Sequence, residues 1–205
     1  MKDKRQHIIE SALTLFAEKG FEGASVRDIA EKASVNVAMV NYYFGTKEKL
    51  FENIIEYKVG ATHGILDEIY KNSQTTYIEK IEAVIDVYIE KLFRHRIFHR
   101  LMQQEMILNQ RENLQNFIVK NILPNATIVK NIIEGGIKNG EFKKVDPQLT
   151  IATINGTINQ VLLSKKFCNV LLNKDDDYIP YEDTKFIKRV SMHLKQLMHN
   201  HLLKN

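Results

Sequence analysis

Asn36, Val37, Ala38, Asn41 and Tyr42 are side chains whose types suit contact with a nucleic acid. An Asn can pair with a base edge, Val or Ala can touch a thymine methyl, and a Tyr hydroxyl can hold a phosphate. The elements that must position them lie in the same stretch. Ser25-Val26-Arg27-Asp28 offers Ser25 as an N-cap, with Asp28 three residues on, near the positive end of the helix dipole. Val26, Ile29, Ala30 and Ala33 line one face of a short helix, and Ser34-Val35-Asn36 is a tight connection. A second short helix, Val37–Tyr43, follows with Val40 on its inner side. Two short helices so joined make a helix-turn-helix, whose second helix enters the DNA major groove with its N-terminal residues leading. A helical corner buried in a larger bundle has the same spacing.

Other reactive side chains suggest less. His95, His99, Met102 and Met106 follow helical steps, and a His pair at such spacing can hold a metal. No carboxylate or Cys completes the set, and Arg94, Arg96 and Arg100 crowd it with positive charge, so no metal is expected. The arginine cluster itself reads as a solvated basic face before an anion site. Cys168 is the single cysteine, beside Lys165 and Lys166, and with no partner His in sequence reach it reads as structural. His193, His199 and His201 read as surface residues. Nucleophile-elbow, P-loop, dinucleotide-binding and H-E-x-x-H motifs are all missing, and Gly135, Gly136 and Gly140 read as turn and helix-end glycines. Neither an enzyme nor a cofactor is expected.

The surrounding sequence is that of an all-α protein. Among 205 residues there are nine Gly and three Pro, with no Pro before Pro124, and helix interiors reject both types. A composition of 44% hydrophobic and 26% charged residues, net charge +4, is that of a globular chain. The charged N-terminus MKDKRQHIIE has no apolar signal region, and no apolar run approaches bilayer length, so a cytoplasmic protein is expected. A first helix is expected over Lys4–Lys19, with Gly20 and Gly23 bracketing a turn, and a long helix from Lys47 to Tyr70. Thr76 and Glu79 form a capping box for the next helix. Pro124 should interrupt or kink a helix inside Asn113–Lys138, while Asp146 and Pro147 are N-cap and first residue of another. Asn173–Asp177 reads as a solvated loop before a last helix.

Residues 4–58 resemble the N-terminal domain of TetR-family transcriptional regulators. The resemblance rests on Ile8–Phe21, then Ser25-Val26-Arg27-Asp28-Ile29-Ala30, then Val40-Asn41-Tyr42-Tyr43-Phe44-Gly45-Thr46-Lys47-Glu48-Lys49-Leu50-Phe51. Family members often carry an aromatic where Asn41 stands and a His where Tyr43 stands. The resemblance implies that Ser25 caps helix 2 and touches a phosphate, with Arg27 near the DNA backbone. Asn36, Val37, Ala38 and Asn41 then face bases, Tyr42 meets a phosphate, and Lys47 lies against the backbone at the start of helix 4. Lys2, Lys4 and Arg5 are either a short basic arm or a solvated tail. Residues 1–50 hold eight Lys+Arg against seven Asp+Glu, so affinity must come from local placement and from doubling in a dimer.

The implied organisation is a helix-turn-helix domain over 1–50, linked by helix 4 from Lys47 to a ligand-binding and dimerisation domain over 51–205. The implied partners are double-stranded DNA with a palindromic operator, a small-molecule effector and a second copy of the chain. Pro147–Ser164 is eighteen residues without a charge, as a helix buried on two sides would be. In the family such a helix and the last one form a four-helix bundle with their mates. The corresponding stripes are Ile154, Ile158 and Val161 with Ile187, Val190, Leu194 and Leu197; a monomeric core has the same pattern. Phe93, Phe98, Met102, Met106, Phe117, Ile118 and Ile122 are candidates for an adaptable apolar pocket, with Asn155 and Asn159 as polar groups. Plain core accounts for these residues too. The function expected is a homodimeric repressor released from DNA by a ligand; the alternatives are a ligand-independent architectural DNA binder or an all-helical small-molecule enzyme.

Overall fold

A computed structural model describes residues 4–108 and 111–204; Lys2 of the expected basic arm lies outside them. The described residues form helices α1 (Lys4–Gly23), α2 (Val26–Lys32), α3 (Val37–Phe44), α4 (Lys47–Lys71) and α5 (Tyr77–Arg94). Then come α6 (Arg96–Leu108), α7 (Glu112–Lys138), α8 (Pro147–Leu163), α9 (Lys165–Leu171) and α10 (Thr184–Leu202). The chain is all-α, as its scarcity of Gly and Pro requires.

The chain divides into two compact units, Met1–Ala61 with His95–Ile122, and Thr62–Arg94 with Leu123–Asn205. The first is built on Ile8, Ile9, Ala12, Leu15 and Phe16 of α1, Ile29 and Ala30 of α2, Val40 and Phe44 of α3, and Leu50, Phe51, Ile54 and Ile55 of α4. Phe98, Leu101 and Met102 of α6 and Leu114 and Ile118 of α7 complete that core. Phe16, Phe21 and Phe51 meet ring to ring at 5.1–5.5 Å.

The second unit is centred on α5, α8 and α10, with the ends of α4 and α7. The α5 start is capped twice. Thr76 and Glu79 exchange capping-box hydrogen bonds, and the Glu141 carboxylate accepts the Tyr77 and Ile78 amides at 3.0 and 2.8 Å. Asp146 caps α8 and Pro147 opens it.

Several expectations are corrected. The first helix breaks at Gly20 (φ 74°, ψ 169°), as expected, and helical geometry resumes over residues 21–23 in place of the expected turn. Pro124 does not interrupt its helix, since α7 continues through it to Lys138. Gly135 and Gly136 lie in the last turn of α7, helix-end glycines as expected, and admit the rings of Tyr77 and Phe142: a Cβ at either would sit about 2.5 Å from ring carbon. α9 forms where the sequence gives no helix signal, because seven residues make only about two turns and show no apolar period. On α10 the buried line is Val190, Leu194, Met198 and Leu202, and His201 faces solvent. His199 and His201 are nonetheless engaged, with Glu82 at 2.7 Å and Thr150 at 3.0 Å. No helix among the described residues is long and apolar enough to cross a membrane.

Candidate nucleic-acid interface

The helix-turn-helix forms as the local sequence dictates. Ser25 caps α2: its hydroxyl accepts the Asp28 amide at 3.1 Å, and the Asp28 carboxylate accepts the Ser25 amide at 2.8 Å and hydroxyl at 2.6 Å. Those bonds, with Lys19 nearby, hold the Asp28 carboxyl down at about 2. Ala33 closes α2, Ser34 takes φ 51°, and the Val35 amide bonds back to the Ala30 carbonyl. That turn aims α3 away from α2. Val40 and Phe44 bury against the core, leaving Val37, Ala38, Asn41 and Tyr42 on the outside. Tyr42 is 84% exposed, so its hydroxyl is open to a phosphate.

The other expected contact residues divide. Ser25, Arg27 and Lys4 are exposed. Asn36 is exposed, but its side chain is the N-cap of α3. Arg5 is half-buried within α1, donating to Asn53 and lying over the Phe44 ring, so it is part of the helical packing and not a free arm. Lys47 is turned inward: Nζ donates to the Phe21 carbonyl at 2.9 Å and lies 4.3 Å from that ring's centroid. Its side chain is 17% exposed, so at the start of α4 it is engaged with the end of α1. Sequence reading missed the group around it, Glu22, Glu105 and Arg111, because those residues are far apart in the chain.

The expected pocket residues are not brought together in one core. Phe98, Met102, Met106, Phe117 and Ile118 pack with the first unit, alongside α1. Ile122, the last residue of the first unit, is exposed, while Phe93 packs in the second unit, where Asn155 and Asn159 of α8 are half-buried. Of the arginine cluster, Arg94 pairs with Glu90 and Arg100 donates to the Ala17 carbonyl. Cys168 is buried, which pushes its thiol up and makes it a poorer nucleophile.

The residues expected at a dimer interface are mostly consumed within the single chain. Ile154, Ile158, Val161, Val190 and Leu194 are buried in the second unit's core, and Ile187 and Leu197 are half-buried against it. Besides Gln148 and Ala152, α8 leaves outside Leu149, Thr153, Gly156, Gln160 and Leu163, a line at steps of four and three with no charge. Met192 of α10 is 61% exposed.

Known proteins share both parts of this arrangement. Residues 8–54 match the family model described as bacterial regulatory proteins, tetR family, and residues 74–177 match tetracyclin repressor-like, C-terminal domain. A Bacillus subtilis (strain 168) protein named Probable HTH-type transcriptional regulator YttP is 34% identical over 146 residues, covering 69% of this chain and 67% of that one. The Fatty acid metabolism regulator protein of the same organism is 30% identical over 168 residues, covering 79% and 84%. The solved structure of FadR from Bacillus subtilis in complex with stearoyl-CoA superposes with a TM-score of 0.72 at 23% identity, covering 94% of this chain and 96% of that one.

Proposed function

Because the chain belongs to the TetR family of bacterial regulatory proteins, we propose that it is a homodimeric repressor released from a palindromic operator by a small molecule. The observation that carries the reading is the outer face of α3. Val37, Ala38, Asn41 and Tyr42 are all exposed on a helix whose opposite side is locked into the core by Val40 and Phe44. Asn41 has the donor and acceptor for a base edge, Val37 and Ala38 the surface for a thymine methyl, and Tyr42 the hydroxyl for a phosphate. Ser25 and Arg27 on α2, and Lys4 at the start of α1, contribute backbone contacts. Lys47 acts from behind, by holding the end of α1.

DNA binding is assigned to residues 1–50, and effector binding and dimerisation to 51–205, with α4 running between. The uncharged outer line of α8, with Met192 of α10, supports dimerisation through those helices. In a dimer the two copies of α3 must stand about 34–36 Å apart to meet successive major grooves. An effector that binds a differently spaced form better draws the population off DNA, by no more than its differential affinity. The protein would act in the cytoplasm, and the reading gives it no reaction to catalyse.

The test is a selection of the purified full chain against random duplex DNA at two salt concentrations. Enrichment of a palindrome, with affinity falling steeply as salt rises, supports the reading. Absence of enrichment at both salts argues for the alternatives. The stearoyl-CoA in the FadR structure makes acyl-CoA thioesters the first compounds to add to the enriched complex.

A further inference from the structure

One guanidinium ties the end of α1 to α6 and α7. Arg111 stands immediately before α7, and the carbon of its guanidinium lies 4.0 Å from the centroid of the Phe21 ring. Its Nη1 donates to Glu22 at 2.7 Å, and its Nη2 pairs with the buried Glu105 of α6. Lys47 shares two of these three partners, lying 4.3 Å from the same ring centroid and 3.9 Å from the Glu22 carboxylate. Two cations thus meet on one ring, and the carboxylate within reach of both offsets their repulsion. Phe21 is 3% exposed and packed on Phe16 and Phe51, so the ring cannot give way without opening the core. Cations on aromatic faces and hydrogen bonds to charged groups gain strength as water is excluded, as it is around Phe21 and Glu105, though Glu22 is exposed.

Lys47 is the first residue of α4, and only Gly45 and Thr46 separate it from the last residue of α3. Whatever fixes Lys47 therefore fixes the end of the helix that faces DNA. We infer that Arg111 is a positioning residue for DNA binding: through Phe21 and Glu22 it locks Lys47, and so sets where α3 stands. This inference rests on the DNA-binding reading above. Arg111 Nε is buried and makes no hydrogen bond, so the lock is held by the Nη pairs and the ring alone. Loss of either carboxylate leaves a half-buried cation short of compensation, and such groups relocate.

The test uses full-length Arg111→Ala, Arg111→Lys and Glu105→Gln chains beside the unaltered one. The acylation rate of Lys47 by an N-hydroxysuccinimide acetate, read by mass spectrometry, needs no DNA and should rise several-fold in Arg111→Ala. Affinity for the duplex enriched by the unaltered chain should fall by about tenfold, within the range of long-range coupling. Its salt dependence should not change, because Arg111 neutralises no phosphate. Arg111→Lys keeps the charge and loses the planar fork, so it should lie between the two. Unchanged affinity in a folded Arg111→Ala chain overturns the inference, as does a salt slope reduced by about one, which would make Arg111 a phosphate contact. Should Arg111→Ala fail to fold, Glu105→Gln loosens the same guanidinium without emptying its place, and the same two outcomes decide. Should the unaltered chain enrich no duplex, the DNA-binding reading fails while the Lys47 rate still tests the lock.

Discussion

The side-chain oxygen of Asn36 accepts the Met39 amide at 2.7 Å, so the residue at the entry to α3 holds the helix together before it can read DNA. Removing an N-cap costs about 1 kcal/mol. Asn36→Ala should therefore lower stability and weaken all duplexes alike, while Asn36→Ser, which keeps a cap, should restore both. Asn41 has no such duty, and Asn41→Ala should instead change preference at one base pair by about 1–3 kcal/mol. Repeating the selection with each variant separates the roles; a changed preference from Asn36→Ala alone would reverse them.

Lys47 and Tyr42 should also part company. Tyr42 is 84% exposed, so Tyr42→Phe should leave the melting temperature unchanged and weaken binding to every sequence. Lys47→Ala removes the donor to the Phe21 carbonyl and should lower the melting temperature as well as affinity. Thermal unfolding without DNA decides: equal melting temperatures for the two variants would mean the inward placement of Lys47 contributes nothing.

The α2 cap predicts a pH effect of definite sign. Hydrogen bonds from the Ser25 hydroxyl and amide, then from Lys19, lower the Asp28 carboxyl from 3.8 to about 2. A folded-state value below the unfolded one means stability that is complete above the unfolded value and lost as pH falls through the folded one. The native chain should lose part of its advantage over Asp28→Asn between about pH 4 and pH 2. Melting temperatures of both chains across that range measure it, and parallel curves would refute it.

Glycines inside helices should respond in opposite directions. A Cβ at Gly136 would stand 2.4 Å from the Phe142 ring, so Gly136→Ala should cost about 1–3 kcal/mol through overpacking. A Cβ at Gly60 meets nothing within 4 Å, so Gly60→Ala should gain up to about 1 kcal/mol from helix propensity. Denaturant titration gives both values, and a stabilised Gly136→Ala chain would contradict the packing.

Oligomeric state should depend on the outer line of α8. Leu149 is 67% exposed, and Leu149→Glu paired with Leu163→Glu should yield a folded monomer with much weaker DNA binding. Ile158 is wholly buried in its own chain, and Ile158→Ala should cost about 2–5 kcal/mol of stability. Sedimentation of the double variant is the check; an intact dimer would move the interface elsewhere.

What the sequence by itself determined is what short-range physics controls. The Ser25–Asp28 and Thr76–Glu79 boxes, the Asn36 turn, the Asp146-Pro147 start and the all-helical character are each settled by residues a few positions apart. The outward face of α3 follows as well, because one helical period leaves Tyr42 opposite Val40 and Phe44, with Asn41 on the flank. The tertiary structure alone decided which apolar face meets which. Periodicity shows that Ile158 and Val190 are apolar stripes, not whether a stripe faces its own chain or a second copy, and both turn inward. It alone turned Lys47 and Arg5 inward, placed Phe98 and Met102 beside α1, and set Arg111 on Phe21. Those partners are separated by dozens of residues, and long flexible cations take whichever partner the packed helices bring near, which no local pattern encodes.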